Sequence, residues 1–182
     1  DLARFVARVP GGVQMQVDNT RALLARMDEG VLDFAVVEGD FPKREYDFIP
    51  YRVERYVAAA DPRTAAELSG HPVEDLLDHT LLLREEGSGT REILERYLAG
   101  RGLSTGDFAR VLELGNIGAI KALTRAGVGL TFLYETALQA ADGIVPVELR
   151  NFSITHDIVF VFRKNSIFRE EYREIYRKFT QE

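Results

Sequence analysis

The stretch VQMQVDNTRALLARMDEGVLDFAVV, residues 13–37, contains the pattern that decides the fold. Its first five residues, 13–17, alternate apolar and polar side chains, which is typical of a strand with one buried face. A polar cluster that can cap a helix, residues 18–20, precedes an apolar stripe that ends before Gly30. Residues 32–37 form a more continuous apolar run, which favours a strand covered on both faces. The stretch therefore predicts a strand–helix–strand unit with a right-handed crossover.

The same alternation of short apolar runs and amphipathic segments continues to the end of the chain. Because strands alternate with helices throughout, we expect an α/β fold with mainly parallel sheets. The last predicted helix carries its aromatic residues on one stripe, as an amphipathic terminal helix does. Further strands are predicted at 52–60, 80–84, 111–114, 128–133, 144–149 and 154–162, and further helices at 72–78, 90–98, 117–125, 135–141 and 167–181.

Composition excludes several classes of protein. The 182 residues are 46% hydrophobic and 29% charged, which is enough apolar surface to build a core. A net charge of −6 argues against non-specific binding of nucleic acid, whose backbone attracts basic proteins. The chain has no cysteine, which excludes disulfides and thiolate metal sites and favours a reducing compartment. No apolar run approaches the roughly 20 residues that span a bilayer, so no membrane partner is expected.

Signatures of catalysis are incomplete. The sequence Gly87-Ser88-Gly89-Thr90 follows a predicted strand, but it lacks the lysine and the length of a phosphate-binding loop. A nucleophile elbow needs glycine two residues before and two residues after its serine, whereas Ser88 has Glu86 and Thr90 there. The three histidines are scattered without the spacing of metal ligands. We therefore predict neither an enzyme nor a cofactor.

Small hydroxyl and amide residues recur where a predicted strand is followed by a helix. Residues 19–20, 88–90 and 116 all occupy such positions. Each would place the unpaired N–H groups and the positive dipole end of a helix beside a polar side chain. Several such ends that converge would bind a carboxylate or a similar anion. The alternative is that all of them are ordinary helix N-caps.

Several motifs resemble the effector-binding domain of LysR-type transcriptional regulators. They are LREEGSGTR at 83–91, ExGN at 113–116, IKxLxxAGxGLxFL at 120–133, GxLDFAVVxG at 30–39 and the polar cluster at 18–20. The match runs in order across nearly the whole chain. One departure is Glu86, where the family often has proline, so the stiffness and charge of that loop differ.

The resemblance implies two Rossmann-like lobes with a central cleft, as in type II periplasmic binding proteins. Lobe I would comprise residues 1–60 and 165–182, and lobe II residues 61–164. The chain would cross between the lobes near residues 58–62 and 162–165. The cleft residues carried over from the family are Asn19, Thr20, Ser88, Gly89, Thr90, Asn116 and Ile117.

The implied function is to sense a small, anionic effector in the cleft and to change the angle between the lobes. We expect a cytoplasmic homodimer or higher oligomer. Its contact helix would carry Leu2, Phe5, Val6 and Val9 against a partner's helix at 90–98 or 117–125. DNA would be bound only by an N-terminal winged helix-turn-helix domain that this sequence does not contain.

The resemblance also implies that the chain is truncated at its N-terminus. The first strand of lobe I, which normally lies between the strands at 13–17 and 32–37, has no counterpart here. We therefore expect that these two strands do not pair with each other.

Two other functions stay open from the sequence. One is an extracytoplasmic solute-binding protein of the same fold, which a signal sequence upstream would favour and a helix-turn-helix would exclude. The other is a small α/β enzyme, which loss of turnover on changing Ser88 or a carboxylate of the cleft would support. The identity of the effector cannot be predicted from the loops alone.

Overall fold

Seven strands and five α-helices form the α/β fold that the sequence predicts, and a computed structural model describes residues 6–7, 12–38 and 41–180. Residues Leu2, Phe5 and Val9 of the predicted contact helix lie outside the described residues, whereas Val6 is helical and 45% exposed. The strands are β1 Phe34–Val37, β2 Tyr46–Ala60, β3 Thr80–Arg84, β4 Arg110–Leu114, β5 Leu130–Tyr134, β6 Val145–Val147 and β7 Ile154–Arg163. The α-helices are α1 Thr20–Asp28, α2 Pro62–Leu68, α3 Gly89–Ala99, α4 Ile117–Arg125 and α5 Arg169–Thr180.

The chain divides into two units. Unit 1 comprises Asp1–Arg52 and Asp157–Glu182, and unit 2 comprises Val53–His156. Both divisions fall inside a long strand, so β2 and β7 each run from one unit into the other. The lobe boundaries implied by the family resemblance stay a prediction.

Unit 1 is built on β1 and β7, which pair antiparallel with Phe34 opposite Phe162. Because successive side chains of a strand point to opposite faces, β7 supplies two separate apolar clusters. One face packs Val159 and Val161 against α1, through Leu24 and Met27. The other face packs Phe160 and Phe162 of β7 against residues of α5 and the neighbouring strands, which are Phe34, Ile49, Tyr172, Ile175 and Tyr176.

The strand predicted at residues 13–17 is wrong. Residues 12–19 have no regular secondary structure, and Val17 is 84% exposed. Sequence alternation produces a strand only where a neighbouring strand completes the hydrogen-bond ladder. Within the described residues β1 pairs with β7, and no pairing joins β1 to the 13–17 segment. The segment therefore stays exposed despite its apolar Val13 and Met15.

Unit 2 contains both parallel and antiparallel pairs. β3 lies between β4 and β5 and is parallel to both, as the sequence predicts. β2, however, is antiparallel to β5 and to β6, so the expectation of mainly parallel pairing is wrong. The reason is that β2 enters the sheet directly from unit 1 rather than through a crossover helix. Helices α3 and α4 both contact β3 and β5.

Two predicted helices form 3₁₀ turns instead, and the one at 72–78 is the single turn Val73–Leu76. The helix predicted at 135–141 is instead two 3₁₀ turns, Glu135–Ala137 and Ala140–Asp142. Leu138 between them is extended, and Gly143 ends the second turn in the left-handed conformation. Helix α2 was not expected, although Asp61 accepts from two of its first amides and Pro62 occupies its first turn. No helix in the described part of the chain has the length and hydropathy needed to cross a membrane.

Candidate functional site

The loop that joins β3 to α3 buries two hydroxyl groups at the start of the helix. Gly87 turns the chain with a φ of +89°, a conformation that favours glycine. Ser88 is the N-cap residue, yet its side chain does not cap the helix. Its Oγ instead lies 2.9 Å from Oγ1 of Thr90, and the two residues are only 1% and 5% exposed. The hydroxyl pair therefore leaves the first amides of the helix uncapped.

The uncapped amides belong to Gly89, Thr90 and Arg91. Within the described chain none of these three N–H groups has a hydrogen-bond acceptor, and Gly89 and Thr90 are buried. A buried donor without a partner costs about 1–3 kcal/mol. An anion at this position would accept from the amides and would also be favoured by the helix dipole. The start of α3 therefore offers hydrogen-bond donors of the kind that an anion accepts from.

Two arginines brace this loop without being available as free cations. Arg91 donates to Glu95 and to Glu113, each at 2.7 Å, and to the Arg84 carbonyl at 3.3 Å. The hydrogen bond to Glu95 raises the pKa of Arg91, and that to Glu113 adds to it. Arg84 itself donates twice to Glu85, at 2.8 and 2.9 Å. The positive character of the site therefore comes from the peptide amides.

Asn116 and Ile117 lie at the same edge of the unit 2 sheet. β3 and β4 are parallel with Arg84 opposite Leu114, so their following loops emerge side by side. The Asn116 side chain accepts from the Ala119 amide at 3.0 Å, as a helix N-cap does. Ile117 is exposed beside it and offers an apolar surface. Hydroxyl, amide and apolar groups thus share one edge.

In unit 1, Asn19 and Thr20 begin helix α1. The Asn19 side chain accepts from the Ala22 amide at 2.9 Å. The Thr20 hydroxyl donates to the Glu38 carbonyl at 2.7 Å, which ties the helix start to the residue after β1. Both residues therefore have local structural roles. That they face the unit 2 residues across a cleft stays a prediction.

Sequence reasoning missed one residue that touches the site. The Tyr56 hydroxyl donates to the Thr90 carbonyl at 2.6 Å, although 34 residues separate them. A tyrosine in an apolar strand carries no sequence signal for this contact, because it looks like any core aromatic. Among the described residues no three His, Asp or Glu side chains are grouped closely enough to hold a metal ion.

Comparison with known proteins identifies what the chain is similar to. The family model described as the LysR substrate binding domain matches residues 2–175. The transcriptional regulator CfxR of Cupriavidus necator is 34% identical over 136 residues, which are 72% of this chain and 41% of that protein. The chain spans less than half the length of the first curated relatives it matches.

Solved structures share the fold. The CcmR regulatory domain of Synechocystis PCC6803, in complex with 2-PG, has a TM-score of 0.82 at 23% identity and covers 99% of this chain and 89% of that one. The effector binding domain of QuiR, in complex with shikimate, has a TM-score of 0.74 at 12% identity and covers 89% of this chain and 78% of that one.

Proposed function

This chain belongs to the LysR substrate binding domain family, and we propose that it senses a small anionic effector on behalf of a transcriptional regulator. A LysR substrate binding domain is the regulatory part of a transcription factor, so the proposed role is recognition and not catalysis. Effector binding would shift the population between two arrangements of the regulator. In this proposal the chain works in the cytoplasm, where a regulator meets DNA.

One observation carries the proposal of an anion: the unpaired amides of Gly89, Thr90 and Arg91 at a buried helix start. Relatives of the fold support the same chemistry, because the CcmR domain holds 2-PG and the QuiR domain holds shikimate. Both molecules are small anions. Three or four charge-assisted hydrogen bonds of about 1.5–3 kcal/mol each would hold such a molecule with micromolar affinity after the cost of association.

The complete site would combine the polar residues at the starts of three helices, α1, α3 and α4. We propose that Ser88, Gly89 and Thr90 bind the anionic group. Asn116 has a side-chain amide NH₂ that can donate to the effector, and Ile117 would cover its apolar body. Asn19 and Thr20 would close on the effector from unit 1, across a cleft between two lobes.

The direct test is calorimetric titration with a panel of small carboxylates and phosphates that includes 2-PG and shikimate. We expect at least one member to bind, and Thr90→Val to weaken that binding about tenfold, since the substitution keeps the shape and removes the hydroxyl. Thr124→Val is a matched control, because Thr124 is also buried in unit 2 and its hydroxyl donates to a backbone carbonyl at 2.9 Å. Equal affinities for the two variants would contradict the proposed site.

The proposal also covers assembly. We propose a homodimer or higher oligomer, with the helix that carries Leu2, Phe5, Val6 and Val9 against a partner's helix α3 or α4. A two-fold axis would make this contact self-complementary. DNA binding would belong to an N-terminal domain outside this chain.

A further inference from the structure

The Tyr56 hydroxyl contacts the backbone at the start of helix α3. Tyr56 lies on β2, is 2% exposed and donates to the Thr90 carbonyl at 2.6 Å. Its ring is held by aromatic neighbours of unit 2, with the Phe132 ring centre 6.2 Å away and the Tyr134 ring centre 5.8 Å away. Because the ring is fixed, the hydroxyl is a fixed donor.

The carbonyl that receives this bond belongs to the same peptide group as one of the unpaired amides. The peptide unit is planar and trans, so the Thr90 carbonyl and the Arg91 N–H point in opposite directions. A donor that fixes the carbonyl therefore also fixes the direction of the N–H. Hydrogen bonds in a chain polarise one another, so a donor at the carbonyl makes the N–H a stronger donor in turn.

We propose that Tyr56 is a positioning residue for the anion, acting through the peptide that joins Thr90 and Arg91. The inference rests on the proposed function, because it requires an anion at the uncapped amides of α3. The Arg91 side chain braces the same residue by its bonds to Glu95 and Glu113. Tyr56 differs from these braces in that it acts on the donor group itself.

The test compares Tyr56→Phe with Tyr176→Phe. Tyr176 is a matched control because its hydroxyl also donates to a backbone carbonyl at 2.6 Å, that of Pro50 in unit 1. The probes are acetate and inorganic phosphate, titrated at constant ionic strength while the amide signals of Gly89, Thr90 and Arg91 are followed by NMR. We expect Tyr56→Phe to bind about fivefold to tenfold more weakly, with the Arg91 amide proton less deshielded at saturation. Tyr176→Phe should bind as the wild type does.

Two negative outcomes are distinguishable. If the wild type shows no response at these amides to either probe, the proposed function fails and takes this inference with it. If the wild type responds and Tyr56→Phe responds equally, the inference about Tyr56 is wrong and the proposed function stands.

A second substitution covers the case in which Tyr56→Phe does not fold. Replacing Tyr56 by 3-fluorotyrosine keeps the ring and the hydroxyl and makes the hydroxyl a stronger donor. A purely structural role predicts unchanged affinity, whereas polarisation of the peptide predicts binding about twofold tighter. Unchanged affinity for both probes would therefore overturn the inference.

Discussion

At the scale of single residues, the hydroxyls of Ser88 and Thr90 contribute to stability as well as to the proposed recognition of an anion. One buried hydrogen bond joins them, so removing one hydroxyl leaves the other without this partner. Thr90→Val should therefore also lower the free energy of unfolding, by about 1–3 kcal/mol. This is why its binding is compared with that of Thr124→Val, which also loses a buried hydroxyl.

Tyr46 gives a prediction of pH dependence. Burial, helped by a 2.8 Å hydrogen bond to Asp28, raises the pKa of Tyr46 from 10.0 to about 12. Because the folded state binds this proton more tightly than the unfolded state, the stabilisation is complete below pH 10 and is lost as the pH rises to about 12. We expect the difference in unfolding free energy between the wild type and Tyr46→Phe to fall over that interval.

The measurement is urea unfolding of both proteins at several values between pH 9 and pH 11.5. Other titrating groups are common to the two proteins and cancel in the difference. A difference that stays constant across this range would contradict the assignment. At pH 7 the variant should lose about 1 kcal/mol for the missing hydrogen bond.

How much of the site the sequence could predict depends on whether a contact is local. Asn19 and Asn116 accept from amides three residues ahead, so their capping follows from the neighbouring sequence. Ser88 has the same pattern but bonds to Thr90 instead, because both hydroxyls are buried together. The contact from Tyr56 depends on the fold alone. Hydrogen bonds between residues that are close in sequence were therefore predictable, and those between distant residues were not.

At the scale of elements, Gly129 sets how closely β5 can begin beside β3. A Cβ at this position would overlap the Thr80 carbonyl oxygen and lie 3.0 Å from the carbonyl carbon. Both are backbone atoms, which cannot turn aside as a side chain does. We expect Gly129→Ala to lower the free energy of unfolding by about 1–3 kcal/mol.

Gly115→Ala is the matched control, because a Cβ there meets no atom within 4 Å. Its unfolding free energy should stay within about 0.5 kcal/mol of the wild type. Chemical denaturation of the wild type and the two variants measures these unfolding free energies. Equal stability of Gly129→Ala and Gly115→Ala would show that β3 and β5 separate freely at this point.

Helices and strands differed in how well the sequence predicted them. The aromatic stripe predicts a helix at 167–181, and α5 occupies Arg169–Thr180, because helix hydrogen bonds are satisfied within the segment. The alternation at 13–17 is equally regular but forms no strand, because its hydrogen bonds need a neighbour. The 3₁₀ turns at 135–142 show a third case, in which a helical composition is too short to propagate.

At the scale of the whole molecule, the proposed dimer can be tested by measuring the molecular mass in solution. Val6 is 45% exposed, and it belongs to the apolar stripe of residues 2, 5, 6 and 9 that the proposed interface would bury. We expect sedimentation at tens of micromolar to show a dimer, and Val6→Glu to weaken it about tenfold. Ile167→Glu is the control, because Ile167 is also an exposed apolar residue, at 87%, but lies outside the proposed contact. A monomeric wild type would contradict the proposal.

Unit 1 is discontinuous in sequence, so its two segments are synthesised at different times on the ribosome. β1 finds its described partner in β7, which is synthesised after the whole of unit 2. At ordinary rates of translation the first strand waits roughly 6–25 s for that partner. Unit 2 is continuous in sequence, so it can assemble its sheet while unit 1 is still incomplete. The nascent chain would thus form the buried start of helix α3 before the core of unit 1 closes.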